Sequence, residues 1–283
     1  MNHTAFSLIL ATVNRTAELE QMLRSLAAQT FKDFEVIVVD QNIDDRLQPY
    51  VEKARLSGLK IIRIRHQPAN LSAARNAGLH VAGGDMIGFP DDDCWYEPDL
   101  LMQVMTRFSA SDAPDGVSAR WMEENHSGLK AGQLTWERSK VFRDIPVASI
   151  TLFFRRIVFD KVGNFDARLG SGLWFGSGEE TDLVLRTLHA GMRIVYEPAA
   201  QVHHPAQKPA INSHSLVAAR SRARGTGALW AKHKLPKWVI FRGLIAPVMR
   251  PFLQGSLGAE LAHGYAEATG RLDGLLGWQR IQS

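Results

Sequence analysis

The sequence predicts an α/β protein with an open, mostly parallel, doubly wound sheet and a basic helical extension at its C-terminal end. Short apolar runs alternate with amphipathic stretches through the first half of the chain, which is the pattern of strand–helix–strand units. The run Asp33–Asp40 is nearly continuous in apolar and β-branched residues, as expected of a parallel strand buried on both faces. Beyond Pro198 the composition becomes basic and the pattern helical. We therefore expect two regions, residues 1–205 and residues 206–283.

Four strand–helix repeats account for the first 108 residues. The predicted strands are Phe6–Thr12, Asp33–Asp40, Leu59–Ile64 and Asp85–Pro90, and the predicted helices are Ala17–Gln29, Arg46–Ser57, Ser72–Ala82 and Glu97–Phe108. In the first helix Leu19, Met22, Leu23 and Leu26 recur at the spacing of one helical face. Ser72 is the expected N-cap of the third helix. Such an alternation favours right-handed crossovers in an open sheet.

The remaining elements of the first region follow a less regular pattern. The expected strands are Asp115–Trp121, Val147–Phe154 and Met192–Tyr196, and a helix is expected over Glu180–Ala190. Residues 122–145 are polar and have no clear period, so we interpret them as a mobile segment near the site. Phe165–Gly178 is rich in glycine and aromatic residues and is predicted to form a loop.

Composition limits the class of protein. The chain has 283 residues, 45% hydrophobic and 22% charged, which suits a globular protein. A single cysteine, Cys94, excludes an internal disulfide and a cysteine-based zinc site. No run reaches the ~20 apolar residues that span a bilayer, and the early apolar stretch lacks a basic leader. We expect a cytoplasmic protein, either free or peripheral at the inner face of the membrane.

The charge of the chain is unevenly distributed. The net charge is +4, yet no Asp or Glu occurs between Pro198 and Ala259. The nine cations of that stretch are Lys208, Arg220, Arg222, Arg224, Lys232, Lys234, Lys237, Arg242 and Arg250. The extension is expected either to meet an anionic membrane surface or to pack as helices on the first region. No recognised nucleic-acid-binding module is present, so nucleic acid is not an expected partner.

The triplet Asp91-Asp92-Asp93 is the most informative motif. It follows a short apolar run, Met86–Pro90, at the strand end where α/β sheets bind ligands. Adjacent carboxylates repel one another, but hard cations take oxygen ligands, and Mg²⁺ is usually held by one or two carboxylates together with substrate phosphates. The triplet is either such a metal site or an acidic turn.

Two further groups adjoin the predicted ligand crevice. Strand one ends in Thr12-Val13-Asn14-Arg15 and strand two in Asp40-Gln41-Asn42. Asp40 could accept hydrogen bonds from a base or ribose, or cap its own loop. Arg75, near the start of the third helix, offers a planar cation suited to phosphate, although helix arginines are commonly exposed. No glycine-rich phosphate loop occurs at a strand–helix junction.

Two late motifs carry groups that exchange protons or bind metals. Glu179, Glu180 and Asp182 open a helix after the flexible Gly176-Ser177-Gly178, where they are either ordinary first-turn acids or a source of a general base. His203 and His204 follow the last predicted strand. Imidazoles there are either structural or ligands of a divalent metal.

Taken in order, these motifs resemble those of the family 2 glycosyltransferases, inverting enzymes with the A-type nucleotide-diphospho-sugar fold. The resemblance covers about residues 5–205. It rests on Ala11–Arg15, Val39–Asn42, Ser72–Gly78, Pro90–Asp93, Gly178–Leu183 and His203-His204. It implies a metal-dependent enzyme that moves a sugar from a nucleotide-diphospho-sugar to a glycan or lipid-linked acceptor. Synthesis of a surface polysaccharide or glycolipid is the expected context.

The resemblance also implies roles for individual residues. Thr12, Asn14, Arg15 and Asp40 would hold the base and ribose, with Arg75, Asp91 and Asp92 also near the donor. Asp93 would bind Mn²⁺ or Mg²⁺, aided by His204 or, as second choice, His203, and Asp91 would bind either the ribose or the metal. The family's base usually comes from a Glu-Asp pair, and this chain has Glu179-Glu180 instead. The base is therefore Glu180 or Asp182, with Glu179 beside them.

Two other functions compete with this interpretation. A sugar nucleotidyltransferase handles the same donors, but it would need a glycine-rich, basic loop after strand one, and Thr12–Arg15 is not one. A non-catalytic membrane adaptor that binds sugar nucleotides is the other, because Glu180 departs from the family pattern.

Overall fold

The computed structural model describes residues 4–123, 130–141, 146–205, 211–255 and 257–282. Its internal contacts divide the chain into two compact units. The first unit comprises Met1–Ala69, Ala73–Asn164 and Leu183–Ala206. The second comprises Asn70–Ser72, Phe165–Asp182 and Gln207–Ser283.

The first unit contains a single sheet, to which nine strands of the described residues belong. The strands are β1 Phe6–Thr12, β2 Phe34–Asp40, β3 Ile61–Arg65, β4 Met86–Gly88, β5 Trp95–Tyr96, β6 Gly116–Trp121, β7 Gly132–Leu134, β8 Leu152–Arg155 and β9 Ile194–His203. Their order is β3-β2-β1-β4-β8-β6-β9-β5, and β7 also pairs with β9. The order reverses between β1 and β4, as in doubly wound sheets.

The helices of the described residues alternate with these strands and then follow them. They are α1 Ala17–Ala27, α2 Gln48–Leu56, α3 Leu71–Val81, α4 Leu100–Phe108, α5 Trp136–Ser139, α6 Ile157–Val162, α7 Glu179–His189, α8 Ser213–Lys232, α9 Lys237–Gln254 and α10 Ala259–Gln282. A 3₁₀ turn, Ser149–Thr151, precedes β8. The predicted α/β class with C-terminal helices is confirmed.

Helices cover both faces of the parallel strands. Phe6, Leu8 and Leu10 of β1 pack in one cluster with the apolar stripe of α1 and with buried side chains of α2 and α4. Ile9 points to the other face, where α3 approaches closely at Gly78. A Cβ at Gly78 would collide with the Ile9 side chain, so glycine permits this contact. The burial of every residue in β1 and β2 follows from cover on both faces.

The sheet is parallel from β3 through β4 and mixed beyond it. β8 runs antiparallel to both β4 and β6, whereas β6 and β9 are parallel. β5 and β7 add antiparallel pairs along β9. These later strands have a less regular hydrophobic pattern than β1 to β4. That pattern does not indicate whether each strand runs parallel or antiparallel to its neighbours.

Four local predictions need correction. Ser72 is not an N-cap: α3 begins at Leu71, and the Ser72 hydroxyl donates instead to the Leu169 carbonyl at 2.6 Å. The polar segment 122–145 contains a strand and a helical turn, β7 and α5, because pairing with β9 compensates for its weak pattern. Residues 124–129 and 142–145 of that segment lie outside the described residues. The last strand, predicted to end at Tyr196, extends to His203. The predicted strand over Val147–Phe154 starts only at Leu152, after the 3₁₀ turn.

The C-terminal helices α8, α9 and α10 belong to the second unit. α8 and α10 approach through glycines: a Cβ at Gly227 would meet the Arg271 carbonyl, and one at Gly274 would meet the Arg224 carbonyl. Trp278 of α10 is fully buried and packs edge-on against Phe175 of the loop that precedes α7. Close backbone approach explains why glycine recurs in these helices despite its low helix propensity.

Candidate functional site in the first unit

The ends of three neighbouring parallel strands, β1, β2 and β4, carry the predicted residues Thr12–Arg15, Asp40 and Asp91–Asp93. Thr12 at the end of β1 is in register with Asp40 at the end of β2, and the acidic triplet follows β4, the other neighbour of β1. The carboxyl ends of parallel strands share one edge of the sheet, so these groups converge there. The prediction that strands one and two end side by side is correct.

Each carboxylate of the triplet has a cationic partner. Asp91 Oδ1 lies 2.9 Å from Arg75 Nη2. Asp92 accepts from Thr12 Oγ1 at 2.6 Å and from Arg15 Nη1 at 2.7 Å. Asp93 pairs with the same Arg15 nitrogen and with His204 Nε2, the latter at 3.2 Å. The mutual repulsion of three adjacent acids is thus offset by three basic side chains.

The three acids differ in burial. Asp91 is about one-third exposed, whereas Asp92 and Asp93 are largely covered. Burial is the main reason that the pKa of Asp92 is raised above its usual range, and it outweighs the hydrogen bond from Thr12 and the charge of Arg15. For Asp93, burial also opposes ionisation, but His204 and Arg15 prevail and the pKa is lowered. The Asp93 hydrogen bond raises the pKa of His204. Asp93 and His204 therefore favour a carboxylate and an imidazolium side by side.

Arg75 is almost completely buried, with 1% of its side chain exposed. A buried guanidinium needs a partner for its charge, and Asp91 supplies one. The alternative expectation, that Arg75 is an exposed surface arginine of its helix, is therefore wrong. Arg75 instead joins α3 to the acidic triplet within the first unit.

Asp40 is fully buried and already engaged by protein groups. Its Oδ1 accepts from the backbone and side-chain amides of Asn42 at 2.9 and 2.8 Å. Its Oδ2 accepts two bonds from the Arg63 guanidinium, at 3.0 Å from Nε and 2.5 Å from Nη2. Asn42 in turn accepts from the Asn14 backbone, where Asn14 has the left-handed φ of 61°. Asp40 therefore fixes the shape of two loops at the crevice.

His203 and His204 face different acids. His204 contacts Asp93, whereas His203 lies 2.8 Å from Glu97 and 2.9 Å from Glu123 and stacks on Trp95 at 5.2 Å between ring centroids. Burial lowers the pKa of His203, but the two glutamates outweigh it and the net shift is upward. Of the two imidazoles, the structure brings His204 and not His203 into contact with the triplet.

Asp93 and His204 have the donor chemistry that a divalent ion accepts, a carboxylate and, once the imidazolium has released its proton, an imidazole close to it. Among the residues that the structure describes, no group of three or more His, Cys, Asp or Glu side chains could hold a metal by itself. The pair fits an ion that takes its other ligands from phosphate oxygens, as Mg²⁺ commonly does.

Acids at the start of helix α7

Glu179, Glu180 and Asp182 lie in the second unit, in the first turn of α7. Glu179 is largely buried, near Gly170 of the preceding loop. Glu180 is half-buried. Gly178, directly before the helix, has a φ of 98°, a conformation that favours glycine. This turn sets the direction in which the helix starts.

Asp182 is fully buried and belongs to a charge cluster. Its Oδ1 lies 2.9 Å from Lys232 Nζ and 2.9 Å from His233 Nε2, both at the end of α8. Lys232 also contacts Asp166 at 2.7 Å, and Asp166 pairs with Arg168. Burial opposes ionisation of Asp166, but Arg168 and Lys232 dominate and hold its pKa well below the usual range. Asp182 thus anchors the first turn of α7 to the end of α8, both within the second unit.

Several residues of these sites were not singled out from the sequence. Arg63 donates hydrogen bonds to Asp40, and Glu97 and Glu123 bind His203. Lys232 and His233 bind Asp182. Arg63 had a signal, a charged residue inside the apolar strand Leu59–Ile64. The others lie far from their partners in sequence, and their positions carry no local pattern.

Comparison with known proteins

The sequence profile of glycosyl transferase family 2 matches residues 7–160, more than half of the chain. The chain belongs to this family. The match contains every predicted donor-side residue up to the acidic triplet, while α7 and the histidines lie beyond it.

Among curated relatives, the amylovoran biosynthesis glycosyltransferase AmsB of Erwinia amylovora is 35% identical over 109 residues, 38% of this chain and 36% of AmsB. The chain spans less than two thirds of the length of the first relatives it matches.

Solved structures extend the likeness of fold to nearly the whole chain. TarS 1–349 of S. aureus, in complex with UDP-GlcNAc, gives a TM-score of 0.61 at 17% identity and covers 96% of this chain and 92% of TarS. The mannosyltransferase PcManGT of Pyrobaculum calidifontis, in complex with GDP-Man and Mn²⁺, gives a TM-score of 0.67 at 14% identity. The match covers 100% of this chain and 89% of PcManGT. At these identities the likeness shows the fold alone.

Proposed function

We propose that this protein is an inverting glycosyltransferase that moves a sugar from a nucleotide-diphospho-sugar to an acceptor hydroxyl. One observation carries the proposal: the acidic triplet, paired with Arg15, Arg75 and His204, follows β4 beside the ends of β1 and β2. That edge of the sheet is where folds of this class bind ligands. Family membership and structural neighbours that bind sugar nucleotides support the same conclusion.

The donor would be bound by the polar groups of this edge. The loop Thr12–Arg15 would receive the base and ribose. Asp40, which is fully buried and bound to Asn42 and Arg63, would contribute by holding the loops that shape this part of the crevice. Arg75 and Arg15 are planar cations suited to phosphate. Asp92 is buried against Thr12 and Arg15, so its part in donor binding would be exerted through those two residues.

Asp93 and His204 would hold Mn²⁺ or Mg²⁺, with Asp91 close by as the more exposed acid of the triplet. A divalent ion at this point would neutralise the charge that grows on the leaving diphosphate. His203 is engaged by Glu97 and Glu123, so His204 is the stronger candidate for a ligand.

Glu180 is the proposed general base. Asp182 is fully buried, and its carboxylate is held by Lys232 and His233, so an acceptor hydroxyl has no open approach to it. Glu180 is half-buried and Glu179 is more covered. Glu180 would take the proton of the acceptor hydroxyl, whose oxygen attacks the anomeric carbon opposite the leaving group and inverts it.

The acceptor is proposed to be a glycan or a lipid-linked sugar, in the synthesis of a surface polysaccharide or glycolipid. AmsB, a relative over 38% of this chain, takes part in amylovoran biosynthesis, which supports a polysaccharide context.

Thermal shift with UDP and GDP, each with and without Mn²⁺, tests the donor site. We expect protection that requires a nucleotide and increases with the cation, and we expect Asp93→Asn to remove the contribution of the cation. Arg24→Lys, at an exposed surface pair, is the matched control and should leave both responses unchanged. Absence of protection by either nucleotide at millimolar concentration would count against the site.

Glu180→Gln and Asp182→Asn separate the two candidate bases. Glu180→Gln should lower the turnover of UDP-GlcNAc or GDP-Man by about 10²–10⁴-fold, the range for a general base, with nucleotide protection intact. Asp182→Asn should mainly lower the melting temperature. If Asp182→Asn abolishes turnover at unchanged stability while Glu180→Gln does not, the assignment is reversed. Proton NMR of the product reports whether the anomeric centre is inverted.

A further inference from the structure

Helix α9 carries a long exposed apolar face. Its members lie three or four residues apart along Lys237–Gln254, apart from the adjacent last pair: Trp238, Phe241, Ile245, Met249, Phe252 and Leu253. Phe241 is 67% exposed and Leu253 83%. At about 100° per residue on an α-helix, the six side chains fall within an arc of roughly 120°. A face of this width is that of an amphipathic helix, but here its apolar side points outward.

The opposite side of α9 is packed within the second unit. Val239, Pro247 and Pro251 are buried. Gly243 approaches the Trp230 ring of α8 so closely that a Cβ would collide with it, and the Pro247 carbonyl touches the position that a Cβ on Gly264 would occupy. The apolar face is therefore exposed although the helix itself is packed against its neighbours on the other side.

Cations border this face on both sides. On the same helical projection, Lys237 falls about 40° beyond Phe241 at one margin, and Arg250 falls about 60° beyond Leu253 at the other. Both cations are exposed. Arg242 lies inside the arc, with its guanidinium carbon 5.6 Å from the centroid of the Trp238 ring. The sequence has no Asp or Glu from Pro198 to Ala259. Helix α9 itself therefore carries cations and no acid, and the next acids along the chain, Glu260 and Glu267, lie on α10.

We propose that the exposed face of α9 lies on an anionic lipid surface, with Trp238, Phe241 and Phe252 among the acyl chains and Lys237 and Arg250 at the headgroups. Aromatic and aliphatic side chains on one face with flanking cations are the composition of interfacial helices. Each juxtamembrane cation strengthens binding to an anionic leaflet about fivefold. In the described part of the chain no helix is long and apolar enough to span a membrane, and this helix would lie in the surface plane. The inference goes beyond sugar transfer and does not depend on it.

Co-sedimentation of the full chain with vesicles tests the proposal. We expect binding to vesicles of phosphatidylcholine with phosphatidylglycerol, and much weaker binding to phosphatidylcholine alone. Phe241→Ser with Phe252→Ser should lower the partition coefficient about a hundredfold or more, because each of the two rings removed from the acyl chains is worth about tenfold or more. Lys237→Glu with Arg250→Glu should remove the preference for anionic vesicles.

Two control variants match these changes elsewhere. Leu56→Ser alters an apolar side chain that is 90% exposed on α2, and Lys161→Glu alters an exposed cation on α6; neither should change vesicle binding. Failure of the wild-type chain to bind anionic vesicles overturns the proposal, as does equal binding by the α9 and control variants. A lipid-free dimer that Phe241→Ser with Phe252→Ser converts to monomers, seen by light scattering, would assign the face to a second copy instead. Nucleotide protection is measured in parallel, so that loss of lipid binding is separated from failure of the donor site.

Discussion

Arg75 Nη2 lies 2.9 Å from Asp91 Oδ1, and the arginine is 99% buried while the aspartate is one-third exposed. This pair connects the helix that follows β3 to the acidic turn that follows β4, so the position of the triplet depends on a side chain inside the core.

We expect Arg75→Lys to lower the free energy of unfolding by about 1–3 kcal/mol, because a lysine keeps the charge but not the planar fork that reaches Asp91. Urea unfolding measures the change. Arg24→Lys, whose partner Glu20 lies in an exposed i,i+4 pair, should cost less than about 0.5 kcal/mol. Equal urea midpoints for the two variants would show that Arg75 is not structurally important.

The hydroxyl of Thr12 donates to the buried Asp92 at 2.6 Å. Thr12→Val removes this donor and leaves a carboxylate oxygen buried without it, so we expect a loss of about 1–3 kcal/mol and weaker nucleotide protection. Thr12→Ser keeps the hydroxyl, so it should retain most of the wild-type stability and most of the nucleotide protection. Identical behaviour of the valine and serine variants in thermal unfolding would refute a role for this hydrogen bond.

Lys232 is shared between Asp166 and Asp182. Lys232→Met should destabilise the protein by about 3–5 kcal/mol, because it takes the lysine away from the fully buried Asp182, while Asp166 keeps Arg168. The double variant Lys232→Met with Asp182→Asn should recover part of the loss, since it also removes one of the buried charges. Chemical unfolding of all three variants gives the coupling, and Lys161→Met at an exposed site is the control. Strict additivity of the two changes would argue against a direct interaction.

Gly227 of α8 packs against the backbone of α10. Gly227→Ala would place a Cβ against the Arg271 carbonyl, so we expect a cost of about 1–3 kcal/mol from overpacking despite the better helix propensity of alanine. Gly132→Ala serves as a control, because its Cβ would lie 3.8 Å from the nearest atom, an ordinary contact. A higher melting temperature for Gly227→Ala than for wild type would mean that the two helices separate easily.

The local pattern predicted the central strands well. The prediction Phe6–Thr12 matches β1, and Asp33–Asp40 differs from β2 by one residue, because strands buried on both faces need continuous apolar runs. Prediction was weaker at β7 and β9, whose pairing depends on distant neighbours. Ser72 illustrates the same limit: its sequence fits an N-cap, but a carbonyl 97 residues away accepts its hydrogen bond.

Motif order alone identified the candidate donor-side residues, and the structure brings most of them together. Asp91 with Arg75, Asp92 with Thr12, and Asp93 with His204 are contacts between predicted residues. His203 and Asp182 were predicted from the same kind of evidence, yet they face Glu97 and Glu123 in one case and Lys232 and His233 in the other. A motif shows which residue type occupies a position, but it does not show which distant side chains will contact that residue.

The amino-acid sequence by itself determined the α/β class, the central strands and the family, because each depends on patterns of neighbouring residues. Only the tertiary structure decided which charges pair, that Arg75 is buried, that Asp182 is an anchor and that one face of α9 is left exposed. Those properties arise from contacts between residues distant in sequence, and burial changes the energy of a charge more than any local pattern can show.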